Sequence, residues 1–202
     1  MDKDWLIAPG QGIGRLTFGL SPEEVAALAD LYGKPSPLMS QAGVASDLEE
    51  VIAQMEGSLP AEIIEDMRRN AQSMADLDTQ SLLGHATVLL EYRDRRLDAV
   101  SVEARHEKAH YEDKPVFTLD AREVLALFEK ANGAPGRYRS VEAAFDNLAV
   151  SLHCFSTTSP QHGIRAMPEA EPDFQQRAVT LRRVPYRPEN ELDQFVAYSF
   201  DG

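Results

Sequence analysis

Apolar residues recur at helical spacing in two stretches that look alike. In Phe18-Gly-Leu-Ser-Pro-Glu-Glu-Val-Ala-Ala-Leu-Ala-Asp-Leu-Tyr-Gly-Lys-Pro35, residues Val25, Leu28, Ala29 and Tyr32 stand at i, i+3, i+4 and i+7, one face of a helix. Val124, Leu127, Phe128 and Ala131 hold the same offsets in Phe117-Thr-Leu-Asp-Ala-Arg-Glu-Val-Leu-Ala-Leu-Phe-Glu-Lys-Ala-Asn-Gly-Ala-Pro135. Both stretches open with a helix-start signal, Ser21 with Glu24 and Asp120 with Glu123, spaced as a capping box requires. Pro22 suits the first helical position. Gly33 and Gly133 suit the left-handed residue past the last turn, and Pro35 and Pro135 stop the helix. A weak internal repeat follows, and with it two similar halves sharing a core.

Between the copies the period changes twice. From Ser46, with Glu49 completing a capping box, Leu48, Val51, Ile52 and Met55 form the inner face of a helix that Gly57 and Pro60 interrupt. A further helix from about 60 to 77 turns Ile64, Met67, Ala71 and Met74 inward. From Ala86 the alternation is that of strands. Thr87 to Tyr92 and Leu97 to Ala104, with Asp94 near the turn, read as a β-hairpin. In the second half, Val141 to Phe145 reads as a helical turn or a strand and Leu148 to Phe155 as a strand. Ser156 to Pro172 reads as a long exposed loop, and 178–184 with 194–200 as a final hairpin. Near the start, Arg15 to Phe18 reads as a strand. The preceding Gly10-Gln-Gly-Ile-Gly14 reads as a turn, because it lacks the full glycine spacing of a phosphate-binding loop and no helix opens behind it. The predicted class is α+β: two helix-plus-antiparallel-sheet repeats, 1–113 and 114–202, with a helical insertion at 46–77 in the first.

Charge narrows the partners. Twenty basic against thirty-three acidic residues give a net charge of -13, which disfavours nucleic acid and favours a basic partner. The insertion is rich in carboxylates. One cysteine, Cys154, excludes an internal disulfide framework and a cysteine-rich metal site, and reads as a buried small residue on a strand. The first residues do not have the pattern of a signal peptide, and no apolar run approaches a membrane span, so a cytoplasmic protein without a membrane partner is expected.

One motif carries catalytic chemistry. His106-Glu-Lys-Ala-His110 matches the H-E-x-x-H pattern, in which two histidines one helical turn apart hold zinc while the glutamate polarises its water; Glu123 and Glu129 are candidate third ligands. The residues before it alternate as a strand and Pro115 follows closely, so the preferred expectation is an exposed polar turn, with zinc at His106 and His110 as the alternative. His85, His153 and His162 are scattered, and no serine sits in a nucleophile-elbow pattern. No catalytic residue and no cofactor are expected.

The unit Ile13-Gly-Arg-Leu-Thr-Phe-Gly-Leu-Ser-Pro-Glu-Glu-Val, running on to Tyr-Gly-Lys-Pro35, resembles the opening of repeats in β-lactamase-inhibitor-like and SmpA/OmlA-like domains, and is similar to the start of many small bacterial immunity proteins. In the second copy Thr118 replaces the glycine and Asp120 the serine. The resemblance implies a helix packed on an antiparallel sheet, tandem copies of which form one extended face that grips another protein. The acidic insertion and the lack of paired cysteines point within that group to a cytoplasmic immunity protein that neutralises a toxin, basic where it is contacted. The partner-binding residues expected are Glu49, Glu50, Glu56, Glu65 and Asp66 on the insertion and Phe174 and Tyr186 in the late loops. A structural or assembly module is the other non-enzymatic alternative.

Overall fold

A computed structural model describes residues 2–185 and 194–200. Tyr186 lies outside the described residues, as does the side chain of Met74. In chain order a single 3-10 turn (Lys3–Trp5) is followed by three short strands, β1 (Leu6–Ala8), β2 (Gly12–Ile13) and β3 (Leu16–Thr17). Two helical pieces follow, α1 (Pro22–Ala26) and α2 (Ala29–Tyr32), then β4 (Lys34–Pro35) and β5 (Met39–Ser40). The insertion is a pair of helices, α3 (Ala42–Met55) and α4 (Ala61–Ala75), and the first half continues with β6 (Leu77–Leu83), β7 (Thr87–Arg93) and β8 (Arg96–Glu103). The first half closes with β9 (His110–Tyr111), and the second half holds β10 (Lys114–Pro115), α5 (Ala121–Asn132), β11 (Gly136–Arg139), β12 (Glu142–Phe145) and β13 (Val150–His153). It ends with β14 (Ser156–Ser159), β15 (Gly163–Ala166), β16 (Ala178–Arg182) and β17 (Val196–Tyr198).

The fold is α+β, with antiparallel pairing throughout the large sheet. That sheet runs β17-β11-β12-β13-β16-β8-β7-β6-β4, with β5 also on β6. From the central β8–β16 pair outward, β8-β7-β6-β4 and β16-β13-β12-β11 each retrace their half of the chain backwards. A helix runs into the outermost strand of each set, α2 into β4 and α5 into β11. A tight hairpin precedes each helix, β2–β3 and β9–β10, and both join β1 in a five-stranded sheet of order β10-β9-β1-β2-β3. The 113/114 boundary falls in the turn between β9 and β10, and residues of both halves, from Ile7 and Val100 to Phe128 and Leu181, share one core cluster.

Local chemistry accounts for most of these elements. The capping box at Ser21 and Glu24 is formed in both directions, whereas Asp120 accepts from Arg122 N and Glu123 makes no reciprocal bond. Gly133 takes the left-handed conformation; Gly33 has positive φ but an extended ψ, leading straight into β4. The β7–β8 turn is Asp94-Arg95, both at positive φ, as a two-residue hairpin of matching twist requires. In α5 the buried line is Ala121, Val124, Leu125, Phe128, Glu129 and Asn132, with the Glu129 carboxylate accepting from Phe200 N at 2.8 Å, while Leu127 is half-buried and Ala131 exposed, so the seam is rotated from the expected one.

Four expectations are corrected. α3 starts at Ala42, so Ser46 is interior; the Gln41 side chain makes no cap bond, and it is Ser40 Oγ that accepts from Ala42 N at 3.3 Å. Ile52 is buried but Val51 and Met55 point outward. β6 occupies 77–83, where the second insertion helix was expected to end. Ser156 to Ala166 is a β-hairpin over α5, not an open loop. β16 and β17 do not pair with each other: β16 sits between β8 and β13, β17 on β11. Among the described residues no helix is long and apolar enough to cross a membrane.

Candidate protein-binding face

Strand alternation gives the large sheet two unlike faces. Inward lie Leu82, Val88, Leu90, Val100, Val102, Val179, Leu181, Leu152 and Phe145, all in the core beneath the helices and the small sheet. Outward in the same registers lie Ser81, Leu89, Glu91, Ala99, Ser101, Thr180, Ser151, Ala144 and His153, none of them in the core cluster. The middle of this outer face is floored by small side chains. Ser101 and Thr180, paired across the two halves, share a hydrogen bond of 2.6 Å. Larger residues flank them. Leu89 is 43% exposed, and beyond it Met39 and Leu83 are still more open.

Charges on this face are fixed by cross-strand geometry. Glu91 and Arg182 both pair with Ala99 and meet across it at 2.8 Å, each about three-quarters buried. Arg137 holds Asp146 through two parallel bonds of 2.8 and 2.9 Å, and the guanidinium groups of Arg137 and Arg139 lie over the Phe195 ring at 4.7 and 5.2 Å. Asp98, next to the irregularity in the β7–β8 ladder, takes Arg183 at 3.2 Å and Arg93 at 3.6 Å. The face is thus polar and pre-arranged, with apolar side chains at one flank.

The expected contact residues fall in different environments. Glu49 and Glu56 both pair with Arg68, and Asp66 with Arg69, so these three carboxylates are engaged within the insertion itself. Glu50 and Glu65 are exposed and make no ion pair among the described residues. Phe174 is corrected outright. It is 9% exposed in the main core, with the Arg177 guanidinium 3.7 Å from its ring centroid, and cannot anchor a partner. No local pattern signals this burial, because a lone aromatic among Glu, Pro and Asp looks like a loop residue.

The histidine motif is not on a helix. Residues 104–109 are turns, and His110 is the first residue of β9. Both rings are buried, against the expectation of an exposed turn: His106 stacks on Trp5 at 4.5 Å with Nε2 3.3 Å from Thr87 O, and His110 Nδ1 is 3.0 Å from Lys108 O. Among the described residues no three His, Cys, Asp or Glu side chains are placed to share a metal ion. His106 instead lines a cleft of about 520 Å³ with Trp5, Asp30, His85, Arg105 and Lys108. Cys154 is buried at a strand end with positive φ, and burial raises its thiol pKa. Gly12 and Gly14 serve close backbone approach, as an added Cβ would overlap Leu16 O and Asp4 O respectively.

Burial lowers the His106 pKa, so the folded chain holds it neutral where the unfolded chain binds a proton. Its contribution is whole above the ordinary value of about 6.5 and is lost as pH falls from there toward the depressed folded value. In urea titrations His106→Asn should therefore lose less stability than the wild type between about pH 7.5 and pH 5. Parallel curves for the two proteins would contradict this.

The chain matches no protein-family model, no curated protein and no solved structure.

Proposed function

We propose that the chain is a non-enzymatic protein-binding protein, built from two halves of common element order, whose outer sheet face grips a protein partner. The functional type it fits best is an immunity protein that neutralises a cognate bacterial toxin by covering it. The observation that carries this reading is the continuous outer face shared by both halves, with the half-buried Ser101 and Thr180 at its middle, the Glu91–Arg182 pair closing over Ala99, and Leu89 and Met39 at its edge. Small central residues let a projecting element of a partner come close to the backbone, while fixed polar groups give it a register. Pre-organised side chains such as Glu91 and Arg182 lose little freedom on binding.

Electrostatics favours a basic partner. Between 46 and 77 eight carboxylates face two arginines, both of them engaged within the insertion. Such a field raises the rate of encounter with a basic surface more than it deepens the final affinity. The test is to mix the purified chain with the product of the reading frame adjacent to its own gene. Co-elution at micromolar concentration, faster association at low salt and relief of that product's toxicity in cells are expected. Absence of a complex at those concentrations sinks the reading.

A further inference from the structure

The helical hairpin α3–α4 carries two sets of apolar residues. Ala45, Ile52, Ile64 and Ala71 are buried, yet none belongs to the main core, so they form a private seam between the two helices. Arg68 pairs with Glu49 on α3 and with Glu56 just past its end, and the short connection between the helices sets them antiparallel. The second set is open to solvent. Val44 is 49% exposed, Val51 46%, Met55 37% and Ile63 46%.

These exposed residues are not scattered. At about 100° per residue, Val44, Leu48, Val51 and Met55 fall in one strip roughly 80° to one side of the seam on α3. Ile63 and Met67 fall in the equivalent strip of α4. The same rotation on antiparallel helices brings both strips to one side of the hairpin. Neither strip contains a charged residue, and Glu50 and Glu65 turn to the opposite side. The hairpin is therefore apolar on one side and acidic on the other.

We infer that the apolar side is the docking surface for a second copy of this chain, two hairpins closing into a four-helix bundle. Among the described side chains the seam holds two alanines and two isoleucines, a small core for two helices of this length, which need burial to persist. A second hairpin supplies an identical, uncharged strip and keeps the carboxylates in water. The rim is complementary too. With the two-fold axis parallel to the helices, α3 of one copy lies over α4 of the other. The Glu49–Arg68 register then brings Asp47 level with Arg69 of the second copy, whose guanidinium is drawn to that edge by Asp66, and the reverse contact follows by symmetry. Six side chains per copy, of which Leu48 and Met67 are half-buried, make a patch below the size of a standard stable interface, so the dimer is weak and reversible, forming at about tens of micromolar. This surface is separate from the outer sheet face, and the inference stands or falls independently of the proposed function.

Sedimentation equilibrium on the full chain from about 1 to 500 µM tests it. A concentration-dependent dimer is expected, weakened at least tenfold by Val51→Glu with Ile63→Glu and unchanged by Glu50→Ala on the acidic side. Should the double glutamate variant fail to fold, Val51→Ser with Ile63→Ser takes its place, with the same loss expected. A monomer across the whole range, or a dimer indifferent to both double variants, overturns the inference; the first of these outcomes leaves that side for an unlike protein.

Discussion

Phe128→Ala is expected to lower stability by about 3–5 kcal/mol, the usual cost of emptying a fully buried aromatic site. In a chain of this length that corresponds to a fall in melting temperature of about 2–4 °C per kcal/mol. Phe128 has no exposed surface and joins three layers. Its ring stacks on Tyr111 of the small sheet at 4.9 Å and lies 5.9 Å from Phe145 of the large one, while its backbone is in α5. Because one core cluster spans both halves, the variant should still unfold in a single transition, with tyrosine absorbance and helical circular dichroism moving together. Two separated transitions, or a loss below about 1 kcal/mol, would show that the halves are held independently of this contact.

Gly14→Ala is expected to cost about 2–4 kcal/mol, and Gly10→Ala only about 1. Both glycines have positive φ, +55 and +74, so the backbone penalty is shared. The difference lies in what surrounds them. Nothing lies near a Cβ added at Gly10, whereas at Gly14 it would overlap Asp4 O and come within 2.5 Å of the Tyr32 hydroxyl. That hydroxyl donates to Asp4 O and accepts from Arg15 N, both at 2.8 Å, and its ring meets Trp5 edge-on at 5.2 Å. A methyl group there must break this junction between the entry segment and α2. Chemical denaturation of the two variants side by side measures the gap; equal losses would mean that conformation alone, not close approach, requires glycine at position 14.

Where a side chain's chemistry agrees with its burial, the fold is legible in the sequence. β7 alternates cleanly and β8 does so beyond the irregularity at Asp98, and the expected limits of the hairpin match the observed ones nearly to the residue. β6 is hidden because two of its inward positions are polar: Asp78 and Gln80 point the way Leu82 does. Gln80 is tolerated there because Tyr92 donates to its Oε1 at 2.9 Å and its Nε2 donates to Ser36 O at 2.9 Å. β14 and β15 look like loop for a similar reason, being made largely of Ser, Thr, Gly and Arg over α5. The pairing of β16 with β8 joins residues far apart in the chain, which no local pattern encodes. The outer face is invisible in the sequence because its members, such as Ser101 and Thr180, are unremarkable singly and gain meaning only from cross-strand register. The acidic insertion is visible as charge, but periodicity alone cannot tell its exposed apolar strip from an inner face.

The most direct test of the binding face is the affinity of the adjacent frame's product for three proteins: the wild type, the double variant Leu89→Arg with Thr180→Arg, and Leu127→Arg on α5. Calorimetry should give a micromolar or tighter complex with the wild type, a loss of at least a hundredfold in the double variant and no change in Leu127→Arg, all three having the same circular dichroism. Equal affinity of the wild type and the double variant would contradict the account, as would a loss confined to Leu127→Arg.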